Sequence, residues 1–289
     1  MSTEVIENKL ESIENLPSLP IVLRQLQKVI YNPNSSMPQI AAIVAKDPAL
    51  ASRAIRLVNS AFYGLSKRVT SIPNAIIILG LNTLNSLMIG LTVIKFFRNS
   101  KQAGFDQQKF WEHCFGTALI SKHLADAVEK KIDDDVFVAG LLHDAGRLVL
   151  DQYLHDDFME AVYMTKSTSK TLSECEKEVV GFDHSEAGAW LSAKWGLPEI
   201  FTVTMGYYHN ESSLPQNFKD YQQILRIVSA ANLLCTIAGI GTSGEILRKD
   251  KITPEMLSID GIGIDKIKTI IETTRTELKN TIDEWNKIL

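Results

Sequence analysis

The sequence predicts an all-α protein, and two observations carry that reading. Apolar residues return every three or four positions in one segment after another, and no run alternates long enough to demand a sheet. Helix-entry and helix-exit signals, such as Asp47-Pro48 and Gly196-Leu197-Pro198, stand at the breaks between those segments.

Composition sets the outer limits. A chain of 289 residues with 45% hydrophobic content can bury a substantial core, as one large or two small domains. Its formal charge of -4 comes from 30 basic and 34 acidic residues without long runs, so no basic footprint marks it for nucleic acid or an anionic membrane. Cys114, Cys175 and Cys235 are odd in number and far apart, which predicts a reducing, cytoplasmic setting rather than a disulfide framework. The N-terminal stretch lacks the basic and apolar regions of a signal peptide.

The elements follow in order. Pro17 and Pro20 lead into a short amphipathic helix that stops at Asn32-Pro33. Ser36 with Gln39 reads as a capping box, with Pro38 in the first turn. Asp47-Pro48 ends that helix and caps the next, whose Leu50, Ala54, Leu57, Val58 and Ala61 form one face. This pair resembles a DNA-reading helix-turn-helix in outline, but Arg53 and Arg56, with Lys67 and Arg68 nearby, are too few bases for that role. From Val69 to Ile94 there is no charge, a length that could span a bilayer. Asn74, Asn82, Thr83, Asn85, Ser86 and Thr92 would need partners in lipid, and Gly80 suggests a break, so two packed core helices are expected instead.

After a polar connector, a helix carries Trp111, Cys114, Ala118, Ile120 and Leu124 toward the core, with His113 among them. Asp133-Asp134-Asp135 marks the start of the next, an apolar run from Phe137 to Tyr153 that reads as one buried helix holding His143 and Asp144 side by side. Two more helices, broken at Gly196-Leu197-Pro198, bring His184 near one start and His209 to the end. An apolar helix around Asn232 and a charged final helix from about Asp265 to Leu289 complete the chain.

Of six histidines, His113, His143, His184 and His209 fall on or beside apolar segments, whereas His123 and His155 read as surface residues. Imidazole nitrogen and carboxylate oxygen suit zinc, iron, manganese or nickel, and coordination would compensate a buried, ionised Asp144. Hydrogen bonds to neighbouring helix ends would serve His143 and Asp144 equally well without a metal. Arg147, one turn beyond His143, either pairs with Asp144 or Asp151 or reaches a phosphate.

The segment "GLLHDAGR", preceded by "FWEHCFGTALISKHLA", resembles the HD superfamily of metal-dependent phosphohydrolases. The stretches "LPSLP", "IVAKDPALASRAIRLVNSAFYG" and "SIPNAIIILGLNTLNSLMI" resemble HDOD domains, the HD-related output domains of bacterial signalling proteins, and the likeness runs from about Ile13 to about Asn232. The resemblance implies an N-terminal helical subdomain (1–100) packed on an HD-like helical bundle core (101–240), with a C-terminal helical extension (241–289). It assigns metal ligation to His113, His143 and Asp144, with Asn232 standing where the HD pattern closes on an aspartate. By similarity to HD-GYP phosphodiesterases, His184 and His209 correspond to additional metal-site histidines, but Lys109 replaces a carboxylate and no Gly-Tyr-Pro motif follows. Two functions follow as expectations. One is a regulatory signal-transduction protein, a helical interaction module for a signalling protein partner, with a residual divalent-metal site. The other is a phosphohydrolase on a nucleotide or other phosphoester, with Asp144, Arg147 and His209 in catalytic roles.

Overall fold

Helix boundaries fall where short polar side chains and prolines stand. The computed structural model describes residues 10–11, 18–30, 36–59, 65, 67–97, 104–128, 135–247, 259 and 261–288. The signals expected at Pro17, Asn32-Pro33 and Asp133-Asp134 lie outside the described residues. All regular elements among the described residues are helical.

One compact unit takes in 17–96 and 276–289. Its helices are α1 (Ile21–Ile30), α2 (Met37–Val44), α3 (Pro48–Val58), α4 (Ile72–Leu79) and α5 (Leu81–Phe97), which ends one residue past it. Gln39 returns its side chain to the Ser36 amide at 2.9 Å, and Asp47 accepts from the Leu50 amide at 2.9 Å, so both expected caps form. Asn59 ties the end of α3 to the backbone of Val69 through both of its amide atoms, at 2.7 Å each way. The uncharged stretch breaks at Gly80, whose φ of 81° suits glycine, and α4 and α5 meet at 114°. Among the described residues no single helix is long and apolar enough to cross a membrane.

The second unit takes in 97–275 together with 1–16. Its helices are α6 (Gln107–Ala127), α7 (Val136–Leu142), α8 (Ala145–Tyr153), α9 (His155–Ser167), α10 (Leu172–Val179), α11 (His184–Lys194), α12 (Glu199–Tyr207) and α13 (Gln222–Ile237), and α14 (Ile264–Ile288) begins here. Helix α6 packs against α7 and α13, α11 against α8 and α12, and α9 against α10. Phe110, Phe158, Phe182 and Phe201 are fully buried, each contributing about 2–3 kcal/mol of apolar transfer.

Two readings are corrected. The run Phe137–Tyr153 is two helices, because the chain turns at His143-Asp144, where Asp144 has a φ of -98° and a ψ of 10°. The apolar pattern on both sides concealed that turn. Residues 172–207 form three helices, with an added break at Gly181, whose φ is 96°. There Asp183 opens α11, accepting from the Glu186 amide at 3.0 Å.

Candidate metal centre

The turn between α7 and α8 brings His143 and Asp144 to one point, facing His113 on α6. His143 donates from Nδ1 to the Gly140 carbonyl at 2.7 Å, which leaves Nε2 as an acceptor. That Nε2 has no hydrogen-bond partner, and neither has Asp144 Oδ2, 3.4 Å from it. His113 Nε2 lies 3.9 Å from the same oxygen and 2.8 Å from Asn232 Oδ1 on α13. Leaving two such buried acceptors unpaired costs about 1–3 kcal/mol each, whereas a divalent cation would use both. The donor atoms of His113, His143 and Asp144 all lie within 4.8 Å of one another, so these residues fit a metal ion.

Electrostatics favour the ligand forms. Burial, then His143, pushes the His113 imidazole down to about 4, and burial likewise lowers His143. Both are therefore neutral at pH 7. Burial would raise the Asp144 carboxyl, but Arg147 foremost, then His143, His184 and His113, hold it well below the usual carboxylate range.

The other oxygen, Asp144 Oδ1, is fully engaged. It accepts from the Tyr208 hydroxyl and pairs with Arg147 Nε at 3.3 Å. Tyr208 stays a donor, since burial and the Asp144 charge push its phenol well up. Arg147 is fully buried; its Nη1 donates to the Ser243 carbonyl at 2.6 Å and its Nη2 to Glu245 Oε2 at 3.1 Å. Of the partners weighed from sequence, Asp144 is the one it takes. Asp151 instead faces His155 at 3.0 Å.

A second set of donors, Asp144, His184 and His209, adjoins the first. Glu176 on α10 holds His184 in place, accepting from its backbone amide at 2.9 Å and from Nδ1 at 2.5 Å. Burial and Arg147 push the His184 imidazole down, but Glu176 outweighs them and its pKa is raised. His184 Nε2 lies 2.8 Å from His209 Nε2 and 3.2 Å from Arg147 Nη2. The close crossing of α8 and α11 requires Gly146, since a Cβ there would lie 1.8 Å from the His184 carbonyl oxygen.

A cleft of about 1140 Å³ opens onto Tyr208, His209 and Asn232, with Trp190 and Tyr207 on its walls. Its lysine and arginine face carboxylates: Lys177 lies 3.0 Å from Asp183, and Arg226 3.7 Å from Glu211. Thus the structure gathers all six residues expected from sequence as ligands, His113, His143, Asp144, His184, His209 and Asn232. Glu176, Ser243 and Glu245 were not foreseen, and Tyr208 was legible only as the neighbour of His209. His155, read as a surface loop residue, opens α9 half-buried against Asp151.

Fold and centre together define an all-helical domain organised around a buried histidine–aspartate pair. The chain belongs to the HDOD domain family, whose model matches residues 16–211. It is similar to an uncharacterised Treponema pallidum (strain Nichols) protein, 25% identical over 233 residues, and covers 80% of itself but 44% of that relative. The chain therefore spans less than half the length of the curated relative it matches. Among solved structures it resembles an HDOD domain protein of unknown function from Geobacter sulfurreducens, with a TM-score of 0.76, 22% identity and coverage of 99% and 98% of the two chains. It also resembles a candidate phosphohydrolase from Shewanella amazonensis SB2B, with a TM-score of 0.69, 23% identity and 97% coverage of both. At these identities the likeness establishes the fold.

Proposed function

We propose that this chain is a regulatory HDOD module of bacterial signal transduction, working in the cytoplasm through a protein partner, with a divalent metal ion held by His113, His143, Asp144 and Asn232. The observation that carries this reading is Asn232: at the position where the HD pattern has an aspartate, an amide oxygen stands 2.8 Å from His113 Nε2. An amide contributes an oxygen but no charge, which suits retention of an ion better than strong activation of water. The mixed donors, imidazole nitrogen with carboxylate and amide oxygen, suit iron, zinc, manganese or nickel.

A second reading, an active metal-dependent phosphohydrolase on a nucleotide or other phosphoester, draws on the cleft that reaches His209 and Asn232. The ion, when bound, would supply an activated water and offset charge on phosphoryl oxygens. His209, exposed on the cleft wall, would move a proton at Nε2, with His184 oriented behind it by Glu176. Arg147 would act by keeping Asp144 ionised, its guanidinium being already committed to Ser243 and Glu245.

Elemental analysis of the purified protein combined with a phosphoester screen tests both. Bound metal without turnover supports the regulatory reading. Turnover that disappears in folded His143→Ala and Asp144→Ala variants would overturn it in favour of the enzyme.

A further inference from the structure

The two donor sets share Asp144 but differ in what already touches them. On the Oδ2 side, Asp144 Oδ2 and His143 Nε2 are unpaired. On the Oδ1 side a guanidinium is seated among the donors, with Arg147 Nε 3.3 Å from Asp144 Oδ1 and Nη2 3.2 Å from His184 Nε2. The side chain cannot swing aside freely, because it is fully buried and anchored by the Ser243 carbonyl at 2.6 Å and by Glu245 at 3.1 Å.

We propose that the Arg147 guanidinium is the fixed second cation of this centre, so that the chain binds one divalent ion, at His113, His143 and Asp144, and none at His184 and His209. This rests on the reading of the first three residues as a metal position. Formal charge agrees with it. Asp144 and Glu245 pair with the guanidinium, and a third carboxylate, Glu176, pairs with His184 beside it. Carboxylates and guanidinium alone leave two negative charges, no more than a single divalent ion offsets. A second ion would leave an excess of positive charge beside a guanidinium that cannot withdraw, in surroundings where burial strengthens repulsion. His184 and His209 are then positioning groups that hold each other and Tyr208, at 2.8 and 2.9 Å.

The test is metal stoichiometry, read by equilibrium dialysis of the full chain against Mn²⁺ after chelator treatment, with electron paramagnetic resonance to detect coupled ion pairs. The native chain should take one equivalent and show an uncoupled signal. Folded Arg147→Met should take two, with exchange coupling, whereas Arg147→Lys, which keeps the charge, should stay at one. Should Arg147→Met fail to fold, His184→Ala in the native background decides: it should keep its one equivalent, while His143→Ala loses it. Two equivalents in the native chain, loss of the ion in His184→Ala, or one equivalent in a folded Arg147→Met would each overturn the proposal. No binding by the native chain would instead remove the metal reading on which it rests.

Discussion

His113 Nε2 and Asn232 Oδ1, 119 positions apart in the chain, stand 2.8 Å from each other at the edge of the buried histidine–aspartate pair. Exchanging the amide for a carboxylate adds a charged oxygen donor at the same place. Asn232→Asp is therefore expected to tighten divalent-metal binding about tenfold or more, roughly 1.4 kcal/mol, measured by competition with a fluorescent chelator. Unchanged affinity would mean that Asn232 does not contact the ion.

Burial keeps the His113 imidazole near 4, while in the unfolded chain it titrates at about 6.5. Between those values the unfolded state binds more protons, so stability must rise with pH there. In metal-free protein the contribution of His113 is complete above about pH 6.5 and is lost as pH falls toward 4, on the order of 3 kcal/mol. Urea unfolding across that window should show the slope, and His113→Gln should flatten it.

Glu176 accepts two hydrogen bonds from His184 and is buried with it. Glu176→Gln keeps the shape and removes the charge. The His184 imidazole should then titrate lower, as followed by NMR, and stability should fall by about 1–3 kcal/mol. An unmoved titration would show that the carboxylate does not govern this ring.

Gly146 lets α8 cross α11 at backbone distance. In Gly146→Ala the new methyl meets the His184 carbonyl oxygen and the Gly188 amide, both backbone atoms that cannot rotate away. The expected loss is about 3 kcal/mol in chemical denaturation, with weaker metal binding because the start of α8, and Asp144 with it, is displaced. A stable Gly146→Ala protein would contradict the close crossing.

Capping explains why the helices were legible. Ser36-Gln39 and Asp47-Leu50 act across three residues, and their hydrogen bonds form as their spacing implies. Periodicity did less well inside fully apolar stretches. From Val136 to Leu150 every residue is buried, so no polar face marked the turn at His143-Asp144. Glu176 offered no signal either, since it sits in a run of charged residues that reads as a solvated face, yet it is 0% exposed.

Local physics, acting over one or two helical turns, let the sequence by itself determine the helical class, the caps and the histidine–aspartate pair as a place needing partners. Tertiary structure alone decided which partners those are. Arg147 reaches Ser243 and Glu245, 96 and 98 positions away, and Tyr208 reaches Asp144 across 64. Such contacts depend on how closely α6, α8, α11 and α13 pack, down to the missing side chain of Gly146, and no short-range pattern encodes that distance.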